Sequence, residues 1–176
     1  GVSVLVLALF LTVNQSKAQK EKEKPIKIGI VDVEMIVKEL PEAVDADKKL
    51  QDLAQGYRDS LLSIEKKFSA RMEQYNKQKT MMTADQQKKE EESLQQIQLE
   101  YQRYQQDKLG AQGELAQTRE KLLAPIREKV RSAIKSVAGK EDMNFVLDKA
   151  SPMLLFAEDK YDITYSVLDL IKRGMK

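Results

Sequence analysis

The sequence predicts an α+β chain that is mainly α: a small β-containing body carrying a long antiparallel helical hairpin, or coiled-coil arm. Three observations carry this. Charged residues make up 33% of the 176 residues and aromatic residues only 6%, a composition rich in helix formers. Apolar residues recur at helical spacing for much of the length between Leu50 and Val137. Short β-branched or apolar runs lie only at the two ends of that region, as in Ile26–Val33 and Asn144–Asp148. The same composition excludes much. With no His and no Cys there is no Ser-His-Asp triad, cysteine nucleophile, zinc site of the usual kind or disulfide. A formal charge of +2 gives no general attraction to nucleic acid or anionic lipid. No P-loop precedes Gly139-Lys140, and Glu90, Glu91 and Glu92 read as a solvated helix face. No enzyme, cofactor or metal is expected.

The first element is an apolar run, residues 2–13, too short to span a bilayer but of h-region length. Ser16 and Ala18 suit a cut after Ala18, so residues 1–18 read as a signal peptide whose start, without Met, is clipped. Removing them takes away only Lys17, leaving basic residues one ahead of the 28 acidic ones. Residues 19–25 form a charged leader ending at Pro25. Residues 26–40 supply a strand and a short helix that Pro41 stops.

The arm, residues 41–125, follows. Leu50, Leu53, Tyr57, Leu61, Ile64, Phe68, Met72 and Tyr75 step by three and four in an eleven-residue repeat, giving a nearly straight stripe. So narrow a seam suits one partner helix. The pattern breaks at 80–85, where Thr83 and Gln86 match a capping box that opens a second helix running to Ala138-Gly139. Two long helices with a short link make a hairpin with its tip near Met82. If residue i faces residue 164 − i, Pro41 lies near Pro125 at the base, Gly56 near Gly110 and Gly113, and Tyr101 and Tyr104 near Ile64 and Leu61. At 1.5 Å per residue the arm reaches roughly 60 Å. Residues 126–176 complete the body with a helix end, two strands (144–148 and 153–157) and a last helix opened by Asp162. A body of roughly 66 residues with open strand edges is expected to pair with copies of itself. Ile28, Ile30, Val31, Phe145, Val146, Leu147, Leu154 and Phe156 are the residues expected to build it.

These features together resemble the OmpH/Skp family of periplasmic chaperones. The resemblance rests on Lys27–Asp32 (KIGIVD), Pro125-Ile126 leading through Lys135–Ala138, Phe145–Asp148 (FVLD), and Asp162–Thr164 (DIT) before the last helix, in order around a hairpin. It implies a jellyfish-like homotrimer whose arms enclose a cavity, and a periplasmic location. It also implies ATP-independent holding of unfolded outer-membrane proteins. The near-neutral charge departs from the family's basic members, so lipid or lipopolysaccharide binding is not carried over. The alternative is a structural spacer or adaptor that binds a folded partner.

Candidate client contacts are the ladder Tyr57, Phe68, Tyr75, Tyr101 and Tyr104, with Met81 and Met82 at the tip. Seam packing is the competing role for the ladder, and closing the hairpin for the methionines. Lys77, Lys79, Lys88 and Lys89 near the tip, interspersed with Asp85 and Glu90–Glu92, read as a solvated tip. Gly56, Gly110 and Gly113 fall at one height, each costing about 1 kcal/mol in a helix relative to Ala. They are candidates for a hinge, with close helix–helix approach as the competing reason.

Overall fold

The computed structural model describes residues 25–174; the expected signal peptide and most of the leader lie outside them. Strand β1 (Ile28–Val31) is followed at once by helix α1 (Val33–Lys38). Asp32 ends the strand and starts the helix, its carboxylate accepting the Met35 N–H at 2.8 Å. Pro41 then occupies the first turn of α2 (Pro41–Gln78), where its missing N–H costs nothing. A single 3-10 turn, Lys79–Met81, closes the tip. Helix α3 (Ala84–Leu109) opens with the capping box: Thr83 Oγ1 accepts from Gln86 N at 3.3 Å, and Gln86 Oε1 accepts from Thr83 N at 2.9 Å.

The second arm of the hairpin is not one helix. It stops at Leu109 and restarts as α4 (Glu114–Lys140), with a turn closed by Gly113 N–H donating to Gly110 O at 2.9 Å. Nor does α4 end at Ala138-Gly139. It runs to Lys140 and is turned out by Asp142 at φ +53°, a left-handed position that Asp tolerates, while Met143 N–H returns to Ala138 O at 2.9 Å. Pro125 sits inside α4 rather than at a boundary.

The predicted register holds in the distal arm and slips at the base. Tyr57 meets Tyr104, Arg71 meets Glu90 and Lys67 meets Glu100, each within three residues of the expected partner. Near the body, however, Glu42 pairs with Lys129 at 2.5 Å, seven residues beyond the predicted partner. The Gly110–Gly113 turn uses residues without following the helical rise, so Pro125 comes level with Ala46 and Lys49, not Pro41.

Strand β2 (Phe145–Asp148) pairs in parallel with β1, from Ile28↔Phe145 to Val31↔Asp148. The whole arm is thus the crossover between two parallel neighbours. Residues 153–157, expected as a third strand, belong to no ladder; Leu154 N–H instead closes a turn onto Ser151 O at 3.0 Å. What flanks β1 on its other side is a single bridge at Asp162, with Ile163 N–H donating to Ile30 O at 2.8 Å. Helix α5 (Thr164–Lys172) follows. Asp162 does set its start, through Thr164 N–H at 2.8 Å, although it stands just before the cap. The core joins α1, the root of α2, the end of α4 and α5 around Ile36, Leu40, Val130, Ala133 and Val167, all almost wholly buried.

Candidate functional site: the arm seam and the bare sheet face

Along the arm, the apolar stripe is consumed between its own helices. Tyr57, Leu61 and Tyr75 of α2 and Leu94 and Ile97 of α3 are buried. Two candidate client contacts, Tyr57 and Tyr75, therefore sit in the seam. Phe68, Tyr101, Tyr104 and Met82 are half-buried, and Met81 is 78% exposed at the tip. The structure brings Tyr57 and Tyr104 together edge to face, with ring centroids 6.2 Å apart, a favourable geometry for aromatic quadrupoles.

Polar links stitch the distal half of the seam. Arg71 grips Glu90 with two N–H donors, at 2.5 and 3.0 Å, and Tyr75 donates its hydroxyl to Glu91. Lys79 lies 3.6 Å from Glu91 and 5.1 Å from the centre of the Tyr75 ring. The Arg71 guanidinium holds the Glu90 carboxyl below its ordinary range, and the Tyr75 hydroxyl does the same for Glu91.

At mid-arm a second constellation spans the helix break. Lys108, in the last turn of α3, forms an ion pair with Glu114, the first residue of α4, and lies 5.5 Å over the Tyr57 ring of α2. The buried Tyr57 hydroxyl makes no well-formed hydrogen bond. Burial, with the Glu114 carboxylate nearby, pushes the phenol up, while Lys108 holds the Glu114 carboxyl down.

The three glycines separate into two kinds. A Cβ at Gly110 would lie 2.3 Å from the Gln106 carbonyl oxygen and one at Gly113 2.9 Å from that of Asp107, so the tight turn requires both. A Cβ at Gly56 would meet nothing within 4 Å, so close helix approach is not the reason for glycine there.

In the body the sheet has two apolar faces. Gly29, Val31 and Val146 lie toward the helices; Ile28 and Leu147, both 42% exposed, and Phe145, 58% exposed, lie on the other side. Phe156 extends that bare side at 82% exposure, and Ile26, Ile28, Ile30, Leu147, Leu154 and Phe156 together line a groove of about 390 Å³. Of the residues expected to build the oligomerising body, Ile30 and Val31 are buried within the chain itself. Val146 and Leu154 are half-buried, and Ile28, Phe145, Leu147 and Phe156 remain open. Ile26, Met153 and Leu155 extend the exposed apolar surface beyond the expected residues; the unbroken run Met153–Ala157 is the signal for Met153 and Leu155, and the start of the β-branched run after Pro25 the signal for Ile26. Among the described residues no His, Cys, Asp and Glu grouping suits a metal ion.

A long helical-hairpin arm on a small parallel-sheet body, with one sheet face bare, defines a hairpin-armed α+β protein. The family model described as "Outer membrane protein (OmpH-like)" matches residues 27–171, and the chain belongs to this family. It is 31% identical over 150 residues to the chaperone protein Skp of Pectobacterium atrosepticum, covering 83% of this chain and 86% of that one. It is 30% identical, with the same coverage, to the chaperone protein Skp of Yersinia enterocolitica. The crystal structure of a putative outer membrane chaperone (OmpH-like) from Caulobacter crescentus superposes with a TM-score of 0.71 over 85% of this chain and 86% of that one. At 18% identity that likeness speaks for the fold. Membership of this family of non-enzymatic proteins makes the chain no enzyme.

Proposed function

We infer that the mature chain is an ATP-independent holdase of the periplasm, keeping unfolded outer-membrane proteins from aggregating between the arms of a homo-oligomer. The observation that carries this reading is the bare sheet face around Leu147 and Phe156. An apolar face this large on so small a body marks a surface that something covers, and a second copy of the same chain presents a matching face and another exposed strand edge. Every copy added brings one more arm, and arms rooted around one body bound a space. The trimer is what the resemblance to the OmpH/Skp family implies; export with cleavage after Ala18 is what the short apolar run of residues 2–13 and the small residues Ser16 and Ala18 imply.

The arms suit loose holding more than specific recognition. Their apolar stripe is spent on the seam, leaving the exposed Met81, Leu62 and Leu99 and the part-exposed Phe68, Met82, Tyr101 and Tyr104 as scattered points of contact. Weak contacts from several arms retain a chain without fixing its conformation. No nucleotide is needed, because folding of the client into its membrane removes the unfolded form and drains the complex by mass action.

The test is dilution of a urea-denatured outer-membrane β-barrel into buffer with near-stoichiometric assembled chaperone and no ATP, followed by light scattering. Suppressed scattering is the expected result. A spacer that binds a folded partner would leave the aggregation curve unchanged, and that outcome would overturn the reading.

A further inference from the structure

We propose that the Gly110–Gly113 turn is an ion-latched joint: the Lys108–Glu114 pair, seated on Tyr57, holds the distal arm in line, and its release lets that part of the arm swing. Only the use of such a joint, admitting clients of different bulk, rests on the holdase reading; its existence does not.

Four observations at one height support it. The second arm is broken here: Gly110 N–H still donates to Gln106 O at 3.1 Å, but α4 restarts only at Glu114, with no side chain capping its first turn. One covalent strand of turn therefore replaces a helical rod. The facing helix α2 is continuous but soft at the same level. Gly56 lacks a side chain with no steric need to, and Ser60 Oγ donates to the Gly56 carbonyl at 2.9 Å, competing with the helical ladder at that carbonyl and favouring a bend. On the broken limb packing is thin as well: Leu109 and Leu115 are only half-buried where Leu94 and Ile97 above are buried, so at this height the seam rests on Tyr57 of α2.

The fourth observation is the latch. Lys108 and Glu114 belong to different helices six residues apart, so their pairing fixes α4 relative to α3. The Lys108 ammonium also lies over the face of Tyr57, and Tyr57 meets Tyr104 edge to face, so the pair is tied to α2 too. Both partners are part-exposed, with side chains 32% and 50% accessible, which makes the attraction sensitive to salt. A second cation, Lys121, also acts on Glu114. Neutralising either latch partner removes the only side-chain ion pair described across the break.

The experiment uses the whole mature chain in its assembled form, free of client. The sequence has no cysteine, so Gln98→Cys on α3 and Glu128→Cys on α4, both exposed, take spin labels on either side of the joint. Labelled chains are diluted with unlabelled ones so that each assembly carries one pair, and the distance distribution is measured by pulsed dipolar spectroscopy. The expected result is a narrow distribution for the wild type and one at least twice as wide, with a shorter-distance shoulder, for Lys108→Gln and Glu114→Gln. Wild type in 1 M NaCl should widen the same way. Lys108→Arg, which keeps the pair, should stay narrow, and Gly56→Ala, whose methyl has open space, should narrow it further. Equal widths for wild type at low salt, wild type at high salt and both neutralised variants would overturn the proposal. So would Lys108→Arg widening as much as Lys108→Gln. The high-salt measurement needs no substitution, so the proposal stays exposed to refutation even where a variant misfolds.

Discussion

Replacing Phe156 by Ala tests whether the bare sheet face is an interface. A phenylalanine side chain buries on the order of 200 Å² when covered, and Phe156 is 82% exposed in the single chain. Full covering would therefore remove roughly 160 Å² from water, of which alanine retains about a third, so the substitution forfeits about 100 Å². At about 25 cal/mol per Å² the loss is about 2.5 kcal/mol for each chain, or roughly a seventyfold weakening per chain in the assembly. Because Phe156 lies outside the buried core, the fold of each chain should survive. Tyr165→Ala is the control: at 71% exposure it is nearly as open, but it lies on α5, away from the groove. Sedimentation velocity over a thousandfold concentration range, with circular dichroism at each end, reads the result. An assembly constant for Phe156→Ala within twofold of wild type, with helicity intact, would refute the reasoning.

Further predictions follow from the core, the tip and the cap. Ile36→Ala empties a fully buried position of the body and should cost about 2–5 kcal/mol in urea unfolding, whereas Leu62→Ala, on the open face of α2, should stay within about 0.5 kcal/mol. Equal costs would place the core elsewhere. Glu90 and Glu91 have folded-state pKa values below their ordinary value of 4.5. Their contribution is thus complete above the unfolded value and lost as pH falls through the lower folded one. Amide exchange near the tip, corrected for intrinsic rates, should be as slow at pH 5.5 as at pH 7 and accelerate as pH falls below the ordinary carboxyl value of 4.5, and Glu91→Gln should blunt that dependence. Thr83→Ala removes the cap of α3 and should speed exchange in its first turn by the equivalent of about 1 kcal/mol, leaving the Gly113 end unchanged.

The hairpin was legible because it is local. An apolar stripe at fixed spacing, a proline at 41 beyond which α1 does not continue and a capping box at Thr83 are properties of neighbouring residues, and each appears where the sequence placed it. The glycine level was legible in position but not in form. Nothing in the residue types of 110–113 says whether two glycines soften a helix or end it, and the close approach of the Gln106 and Asp107 carbonyls, visible only in the fold, decides for ending. That break carried the register error with it, because a straight-rod rule has no place for a turn that advances the sequence without advancing the axis. Residues 153–157 failed for a different reason. A strand needs a partner, and the sequence of one chain cannot say that both edges of β1 are already taken, by β2 and by the bridge at Asp162, while residues 153–157 leave the free edge of β2 unpaired. The apolar residues of that run were identified correctly as apolar; their place on an outer surface is a property of the assembly.

That division of apolar surface constrains how a client is held. Had the arms kept a continuous exposed stripe, one arm would bind an unfolded chain tightly and also bind other arms. Instead the stripe is closed by Leu61, Leu94 and Ile97, and Met81 is a prominent apolar side chain at the far end. Burying a methionine completely is worth about 1.5–3 kcal/mol, a ten- to hundredfold effect if one client pose engages it throughout. In a client that shifts among poses each contact is occupied part of the time, so Met81→Ala should weaken retention of a denatured outer-membrane protein by no more than about threefold. Phe156→Ala, which touches no client position, should abolish retention at concentrations where the assembly falls apart. Fluorescence titration of one labelled client against both variants gives the comparison directly. If Met81→Ala alone removed binding while the assembly stayed whole, holding would be a matter of a defined tip site, and the distributed cavity between arms would have to be given up.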